Sequence, residues 1–290
     1  MVYYLQQLPW LTPLGAATNG SFGGITSSEI IHALTASLDP DICSPAQIIA
    51  SLRALNTFYE FNPSVSSAHL THIFYQPLVH IFQLHRKPLP RSAIIEQVQL
   101  AAMLLERSCG SVDTMDDFAE LDILDAMLSF MFTFVFASWD LQKDYSFNKA
   151  PPSIYSRLLP SLLFALGALI KDDQARVTQV AAAKPSSPLV GAMFEEEYPM
   201  MRILLRLTKN IHGPIKLGAV ECLTYMFRVG AIGRREVVEI NNLVVPILVR
   251  LFDDSPEVRM RAPQILGITF SPKNLTLQGI SSRTARRCKR

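Results

Sequence analysis

The sequence predicts an all-α fold, an α-solenoid in which helical repeats stack on one another. The main observation is a pattern that occurs twice between residues 198 and 267. Segments 202–207 and 246–251 share one arrangement of apolar and basic residues, and each is followed by a turn and a second apolar helix pattern. The copies are 44 residues apart in the first helix and 43 in the second. A period of about 40–47 residues built of helices alone is typical of stacked helical repeats.

Composition is the second observation, because it provides the apolar surface that such a stack must bury. Of the 290 residues, 49% are hydrophobic and 18% are charged, which is toward the apolar end for a soluble protein. The net charge of +2 gives no general attraction to nucleic acid or to anionic membranes. The four cysteines form no CxxC pair, so we interpret them as reduced thiols of an intracellular protein.

Neither export nor membrane insertion is expected. The N-terminus lacks the positive region and the uninterrupted apolar run of a secretory signal. The most membrane-like stretch, residues 123–139, is short for a span, contains Asp125 and lies between Asp122 and Asp140. A bilayer would disfavour these charges. A buried solenoid helix is therefore the favoured interpretation.

The chain begins with a loose lead-in and continues into two predicted helices. Residues 1–27 contain two prolines and a Gly/Ser-rich run, so no packed element is expected there. Apolar residues at helical spacing follow from Ser27 onward and predict a helix that ends before Pro40. Ser44 and Pro45 occupy the N-cap and first positions of the next predicted helix.

A third and weaker copy of the repeat is predicted over residues 75–108. The copy of the signature begins at Pro77, and its second helix covers residues 93–107. The loop between its helices, residues 83–91, is longer than in the last copy, an insertion of a kind that repeat proteins place in loops.

The middle of the chain carries weaker repeat signals. Residues 118–138 form one long helix pattern rich in Met and Phe, residue types that usually fill a core at this spacing. The pattern lapses after Asp140 and resumes as an apolar helix over 154–170. An Ala-rich segment, 175–183, then has the length of the second helix of a degenerate repeat, and the Pro/Ser-rich run after it indicates a flexible interruption.

The clearest repeats, 198–229 and 243–268, close an array predicted to span residues 28–268. Residues 269–290 are basic and almost without large apolar side chains, so we expect a disordered tail. Its arginines are compatible with a nuclear-import signal or with an unstructured end. No polar-faced capping repeat is visible, which leaves a shortened form of a longer array or an array capped by a partner.

The repeats resemble a known family. The series Pro-x-Leu-Val-x-Leu, turn, Val-x-x-x-Ala-x-x-x-Leu at 246–266 resembles helices two and three of an armadillo repeat, and 199–226 is a second copy. Within the armadillo/HEAT-like solenoids, residues 197–225 and the run 261–266 are most similar to fungal forms of the armadillo-repeat subunit of the GID/CTLH ubiquitin-ligase complex. The resemblance implies a scaffold in protein degradation that links a substrate receptor to a RING-type catalytic core, in the cytoplasm and nucleus.

The alternative within the same superfamily is an importin-like transport adaptor that binds cargo peptides. Armadillo proteins of the nuclear-import type typically carry Trp and Asn on the third helix of each repeat, where they hold an extended peptide. The matching positions here are Glu221 and Tyr225 in one copy and Gln264 and Ile268 in the other. This departure argues against importin-like binding of basic cargo, but it does not exclude binding to another peptide or protein surface.

The resemblance places the candidate protein-binding residues on the inner face of the stack. These residues are Glu221, Tyr225, Arg228, Arg261 and Gln264. The acidic cluster over residues 113–125 is better explained as a solvated helix start than as a second binding patch.

Catalytic motifs are absent from the sequence. It contains no Walker A, GxGxxG, GxSxG or HExxH pattern. The only concentration of histidines lacks a nearby Cys, Asp or Glu that would complete a zinc site; it consists of His69, His72, His80 and His85. Cys222 lies on an apolar stripe, which favours packing over nucleophilic use. We therefore expect no enzyme, no cofactor, no metal and no small-molecule substrate.

Nucleic-acid binding is a minor candidate. Basic residues concentrate in the clear repeats, but Glu195, Glu197 and Glu221 lie among them. Binding of single strands also needs aromatic side chains on one basic face, and the pattern shows none. Other protein subunits are thus the expected partners. An enzyme would require distant His and carboxylate residues to meet in the fold.

Overall fold

The computed structural model describes residues 21–22, 25–61, 68–109, 117–136, 156–171, 173–185, 199–229, 253 and 255–269. In these ranges the protein is all-α, apart from one antiparallel pairing of Ser21–Phe22 (β1) with Ile25–Thr26 (β2). Most of the predicted lead-in, the first helix of the last repeat and the predicted disordered tail beyond residue 269 lie outside the described residues.

The described helices contain 9 to 18 residues. In order they are α1 (Ser27–Thr35), α2 (Pro45–Phe61), α3 (Ala68–Phe82), α4 (Arg91–Ser108), α5 (Asp117–Phe130), α6 (Leu158–Ile170), α7 (Gln174–Ala182), α8 (Pro199–Leu207), α9 (Gly213–Val229) and α10 (Pro256–Thr269). A short 3₁₀ helix (Leu84–Arg86) lies between α3 and α4, and a π-helix (Met131–Val135) continues α5.

Two layers of helices form the stack. One layer, which we name the inner layer, contains α2, α4, α6, α9 and α10, each packed on the next; the other, which we name the outer layer, contains α1, α3 and α5, packed in the same way. Helix α8 packs mainly on α9 and more weakly on α7. One buried apolar cluster runs through both layers, from Ile31 to Ala262. Each unit thus covers the apolar face of its neighbour, which is the organisation of an α-solenoid.

The predicted apolar stripes of the two clear repeats are buried. Ile215, Ala219 and Cys222 of α9 have no solvent exposure, and neither do Val258 and Ala262 of α10. These side chains fill corresponding positions in consecutive inner-layer helices, because α9 packs directly on α10. The duplicated sequence pattern therefore corresponds to apolar positions that are buried in the same way in two consecutive helices.

The turn before each of these two helices is also repeated. Asn210 Oδ1 accepts a hydrogen bond from the backbone N–H of His212 (2.8 Å), and Asp253 Oδ1 accepts one from the backbone N–H of Ser255 (3.1 Å). Both are Asx turns, in which a side chain replaces a backbone acceptor. The two residues are 43 positions apart, the offset of the second helix.

The predicted start of α2 is confirmed in detail. The helix begins at Pro45. Ser44 donates its backbone N–H to Gln47 Oε1 (2.8 Å), and the Gln47 N–H donates to Ser44 Oγ (3.4 Å). This reciprocal pair is a capping box, and it satisfies two donors that the helix itself cannot.

Helix α3 begins at Ala68 and contains Pro77 in its interior. An interior proline costs about 3 kcal/mol through a lost hydrogen bond and a steric clash. Tyr75, Leu78 and Phe82 are at most 1% exposed, and burying a large apolar side chain contributes about 1.5–3 kcal/mol. Burial of this face outweighs the cost of the interior proline.

The predicted long helix over residues 118–138 is α-helical only to Phe130. Met131–Val135 continues it as a π-helix, whose turn is wider than that of an α-helix. Thr133 Oγ1 donates to the backbone oxygen of Ser129 (2.6 Å), the acceptor that the Thr133 N–H would use in an α-helix. Thr224 makes the same bond to Val220 within the regular helix α9, so this bond alone does not account for the π-helix.

Inner-layer helices α6 and α9 approach closely at one glycine. A Cβ atom at Gly218 would lie 2.8 Å from the Cβ of Leu163, whereas a Cβ at Gly167 would meet nothing nearer than 3.7 Å. The Cys222 thiol donates to the Leu163 carbonyl oxygen across the same contact (3.1 Å). Only a residue without a side chain fits at Gly218 unless the helices separate.

Gly218→Ala is therefore expected to lower the free energy of unfolding. Overpacking a tight contact costs about 1–3 kcal/mol, against a gain of about 1 kcal/mol from helix propensity. Gly167→Ala is the matched control, because it brings the same gain in helix propensity without the clash. Its free energy of unfolding should be equal to that of the wild type or higher. Urea unfolding of the two variants checks this; equal stabilities would contradict the close approach.

A buried ion pair joins the start of α9 to the turn before α10. Lys216 Nζ lies 2.9 and 2.8 Å from the two carboxylate oxygens of Asp253. The side chains are 13% and 3% exposed. The Arg259 guanidinium also donates to the Asp253 backbone oxygen (2.6 Å). This junction fixes one repeat on the next.

Lys216→Met is expected to destabilise the fold by about 3–5 kcal/mol, because it leaves the Asp253 carboxylate buried without its cation. Adding Asp253→Asn to this variant should restore part of the loss, since asparagine keeps the acceptor of the Asx turn without the charge. Unfolding of the wild type, both single variants and the double variant gives the coupling energy. Strictly additive effects would show that the pair contributes no coupling.

Candidate protein-binding site

The five predicted binding residues lie on α9 and α10 of the inner layer. Three of them form one cluster around Glu221, a half-buried residue of α9. Its Oε1 atom accepts hydrogen bonds from the Tyr225 hydroxyl group (3.1 Å) and from the Arg261 guanidinium (3.1 Å). Tyr225 is one helical turn further along α9, whereas Arg261 comes from α10. Glu221 therefore holds a charged side chain of the next helix in place.

The cluster lies against α6 because Gly167 leaves room for it. A Cβ at Gly167 would be 3.7 Å from Glu221 Cγ and 3.7 Å from Tyr225 Cε2. The Tyr225 ring covers this backbone and is only 9% exposed. Tyr225 is thus packed within the stack, and the side chains that reach the surface are those of Glu221 (20% exposed) and Arg261 (35% exposed).

The remaining two predicted residues do not join the cluster. Arg228 is exposed on α9, and Gln264 is exposed on α10. They lie beyond Tyr225 and Arg261 along the same two helices. The structure thus brings three of the five residues together. A binding role for all five stays a prediction.

Electrostatic effects extend from this cluster to α4. Burial raises the pKa of Tyr225, and the neighbouring Glu221 charge raises it further, so the hydroxyl group stays a neutral donor. Glu106 of α4 is an exposed residue. Its carboxyl group is nevertheless partly desolvated, and this raises its pKa. The Arg107 cation opposes this shift, and the Glu221 carboxylate adds to it. The inner face therefore carries two carboxylates that repel each other.

A second set of cross-links joins α2 to α4, and the sequence pattern did not reveal it. Asn56 is buried and donates from Nδ2 to the backbone oxygens of Leu52 and Leu100, each at 2.9 Å. Arg107 donates to the Asn56 backbone oxygen (2.7 Å) and pairs with Glu60 (3.1 Å). Asn56 and Leu100 are 44 residues apart, but the acceptor is the Leu100 backbone oxygen, so no pair of polar side chains in the sequence marks this contact.

The histidine group shows no metal site in the part that the structure describes. His85 Nδ1 lies 2.9 Å from the Phe82 backbone oxygen, and burial lowers the pKa of its ring. The side chains of His69 and His72 lie outside the described residues. Within those residues no group of three or more His, Cys, Asp or Glu side chains is placed to hold a metal ion.

The cysteine thiols with described burial are mostly in the core. Cys222 has no solvent exposure, as its apolar stripe predicts, and burial raises the pKa of its thiol. Burial also raises the pKa of Cys109 to about 11. Both are therefore protonated at neutral pH, and a thiol is a much weaker nucleophile than a thiolate.

None of the helices in the described part of the chain combines the length and the apolar character that spanning a bilayer requires. The described part of the membrane-like stretch lies in α5 and the π-helix, where Ile123, Met127 and Phe130 pack in the common core.

Comparison with known proteins identifies one related sequence and one related structure. No protein-family model matches the chain. A segment of 72 residues is 32% identical to GID complex subunit 5 of Schizosaccharomyces pombe and covers 25% of this chain. The chain therefore matches only 9% of the length of that relative. The structure is similar to the crystal structure of an engineered protein, with a TM-score of 0.53 and 13% identity over 85% of this chain and 79% of that one, a similarity of fold alone.

Glu221→Gln is expected to lower the pKa of Glu106 toward its ordinary value, because it removes a nearby negative charge and keeps an acceptor for Tyr225. It should change stability by less than about 1 kcal/mol, since the pair with Arg261 is partly exposed and screened by solvent. NMR titration of the Glu106 carboxyl carbon measures the shift. Glu96→Gln, which removes a carboxylate that pairs with Arg53, is the control and should leave Glu106 unchanged.

Proposed function

We propose that this chain is a non-catalytic scaffold of armadillo-type repeats, a subunit of a GID/CTLH-type ubiquitin-ligase complex. The observation that supports the proposal most directly is the 72-residue similarity to a GID complex subunit. The all-α stack with its continuous core is compatible with this role. In the complex, the chain would link a substrate receptor to the RING-type catalytic core.

The geometry of the inner layer suits the work of a scaffold. Consecutive helices α2, α4, α6, α9 and α10 bury their sides on one another, so their outward residues form one surface. Cross-links such as Arg261 to Glu221 and Arg107 to Glu60 keep charged groups of neighbouring helices at fixed positions. A surface fixed before binding loses little conformational entropy when a partner docks. Holding two subunits in a fixed orientation requires this rigidity but no catalytic residue.

We further propose that the chain acts without a catalytic residue, cofactor or metal, in the cytoplasm and nucleus. The buried thiols of Cys109 and Cys222 and the absence of catalytic motifs in the sequence support the first part. The basic tail and the interpretation of the cysteines as reduced thiols support the proposed location in the cytoplasm and nucleus.

The importin-like alternative has less support. A peptide-binding ladder needs an exposed amide side chain on each of the inner helices, and Gln264 of α10 supplies one. Asn56 is buried, and its amide already bonds the backbone oxygens of Leu52 and Leu100. Glu221 is likewise engaged by Arg261 and Tyr225.

Affinity purification of the tagged protein from its native cells, followed by quantitative mass spectrometry, tests the proposal. We expect RING-type and receptor subunits of a ubiquitin ligase to be recovered with the wild type. The double variant Glu221→Arg/Arg228→Glu should recover them about tenfold less, because reversed charges at a docked surface are costly. Lys209→Glu, an exposed charge reversal after α8 and outside the inner layer, is the control.

Recovery of no ligase subunit by the wild type would refute the ubiquitin-ligase assignment. Direct binding of a basic import-signal peptide to the purified chain, with loss of binding in the Glu221 variant, would instead support the transport alternative.

A further inference from the structure

One side of α9 faces α10, and two polar contacts mark it. Lys216 pairs with Asp253 in the turn before α10. Glu221 accepts a hydrogen bond from Arg261 of α10. At about 100° per residue, the positions on the helix surface between Lys216 and Glu221 form one stripe, which consists of Leu217, Val220 and Thr224. All three are buried or half-buried, and we name them the stacking stripe of α9.

Helix α10 repeats this stripe 43 residues further along the chain and leaves it uncovered. The corresponding residues are Met260, Pro263 and Gly267. Met260 is 65% exposed, and Pro263 is exposed as well. The opposite side of α10 packs on α9, where Val258 and Ala262 have no exposure. Met260 and Pro263, which we name the stacking stripe of α10, thus face away from α9.

The stacking stripe of α10 lacks the character of a capping surface. The helix that ends a repeat array normally has a polar outer side, which keeps the array soluble. Met260 and Pro263 are both apolar instead. A proline inside a helix is also costly, because it removes a backbone hydrogen bond. At Pro77 the burial of neighbouring side chains offsets that cost, whereas Pro263 is exposed. The stripe therefore resembles the side of a helix that another helix covers.

Helix α2 has an uncovered side at the other end of the described stack. Asn56 marks the side that meets α4, because its amide reaches the Leu100 backbone oxygen. Ala50, Ala54 and Phe61 lie about 120–160° from Asn56 around the helix. Phe61 is 50% exposed, and both alanines are half-buried. This side of α2 thus combines two small residues with an exposed aromatic ring.

Small residues recur in this stack on the side of a helix that meets the preceding one. Gly218 of α9 lies directly against Leu163 of α6, and Ala262 is buried where α10 packs on α9. Ala50 and Ala54 place small side chains on the corresponding side of α2. The distance between packed helices depends on the side chains at the contact, so small residues allow a neighbouring helix to approach closely.

We propose that copies of this chain stack head to tail, with the stacking stripe of α10 in one copy packed on the side of α2 that carries Ala50, Ala54 and Phe61 in the next. The contact continues the arrangement within the chain, in which each inner-layer helix packs on the next. It also buries Met260 and Phe61, two of the four large apolar side chains that are exposed in the described part of the chain.

This inference goes beyond the proposed function and does not depend on it. The purification compares variants at Glu221 and Arg228, which belong to neither stacking surface. Failure of the ligase purification would leave the stacking proposal untouched, and a monomeric chain would leave the scaffold proposal untouched.

Analytical ultracentrifugation of the full chain tests the proposal. A contact between two different surfaces extends beyond a dimer unless it closes into a ring, so we expect the average mass to rise with concentration. Met260→Glu should raise the concentration needed for association at least about tenfold, because it places a charge in an apolar contact. Ile211→Glu is the matched control, since Ile211 is 67% exposed and lies outside both surfaces. A chain that is monomeric up to about 1 mM, or equal effects of the two variants, would overturn the proposal.

Disulfide cross-linking identifies the two surfaces. Met260→Cys and Ala54→Cys are introduced into separate copies, each in a background with Cys43→Ser and Cys288→Ser. A disulfide needs Cα atoms within about 7 Å, so we expect mild oxidation to link a mixture of the two variants at least about tenfold more than either variant alone. An equal yield with Ile211→Cys in place of Met260→Cys would show that the copies do not stack through these surfaces. Efficient linking of Met260→Cys copies to one another would assign the stripe of α10 to a two-fold contact instead.

Discussion

The structure depends on apolar burial between consecutive inner-layer helices, and α6 shows this constraint most clearly. Leu158, Leu162 and Leu166 of α6 have no exposure, and the rest of the helix is almost as apolar. A helix that is apolar on all sides needs partners on all sides. Helices α4 and α9 supply them, and at about 1.5–3 kcal/mol for each large side chain their contact dominates the stability of the middle of the stack. The approach of α9 is limited by Gly218, which lies directly on Leu163.

Apolar burial has no direction, so the register between helices requires other contacts. The polar cross-links provide it. Asn56 reaches the Leu100 backbone oxygen from α2 to α4, Lys216 reaches Asp253, and Arg261 reaches Glu221. Each contact joins residues about one repeat apart, as expected where a unit contacts mainly its neighbours. A buried polar group without its partner is costly, so a slipped register would be penalised at each of these positions.

Sequence reasoning predicted the parts of the fold that repeat locally. The stripes of Ile215 and Ala219, and of Val258 and Ala262, follow helical spacing and are buried as expected. Burial around Pro77 overrode its local helix-breaking effect, and the α-helix continues as a π-helix after Phe130. Both departures depend on contacts or bonds that a periodicity pattern does not contain.

The candidate sites were less predictable, because their residues come from separate elements. Glu221 was identified from its position in the repeat, but its bond to Arg261 depends on how α10 packs. The contact of Asn56 with the Leu100 backbone oxygen was not predicted, since it forms only when α4 packs on α2. No motif marks such a combination in the chain.

The rigidity of the stack matters more than any single contact. Arg91 begins α4 and Glu106 lies near its end, about 22 Å apart at the rise of an α-helix. Because α4 is clamped between α2 and α6, its two ends cannot move relative to each other or to the neighbouring helices without breaking the core. The surface along these helices therefore keeps one shape, and a surface that is fixed beforehand loses little conformational entropy on any contact it makes.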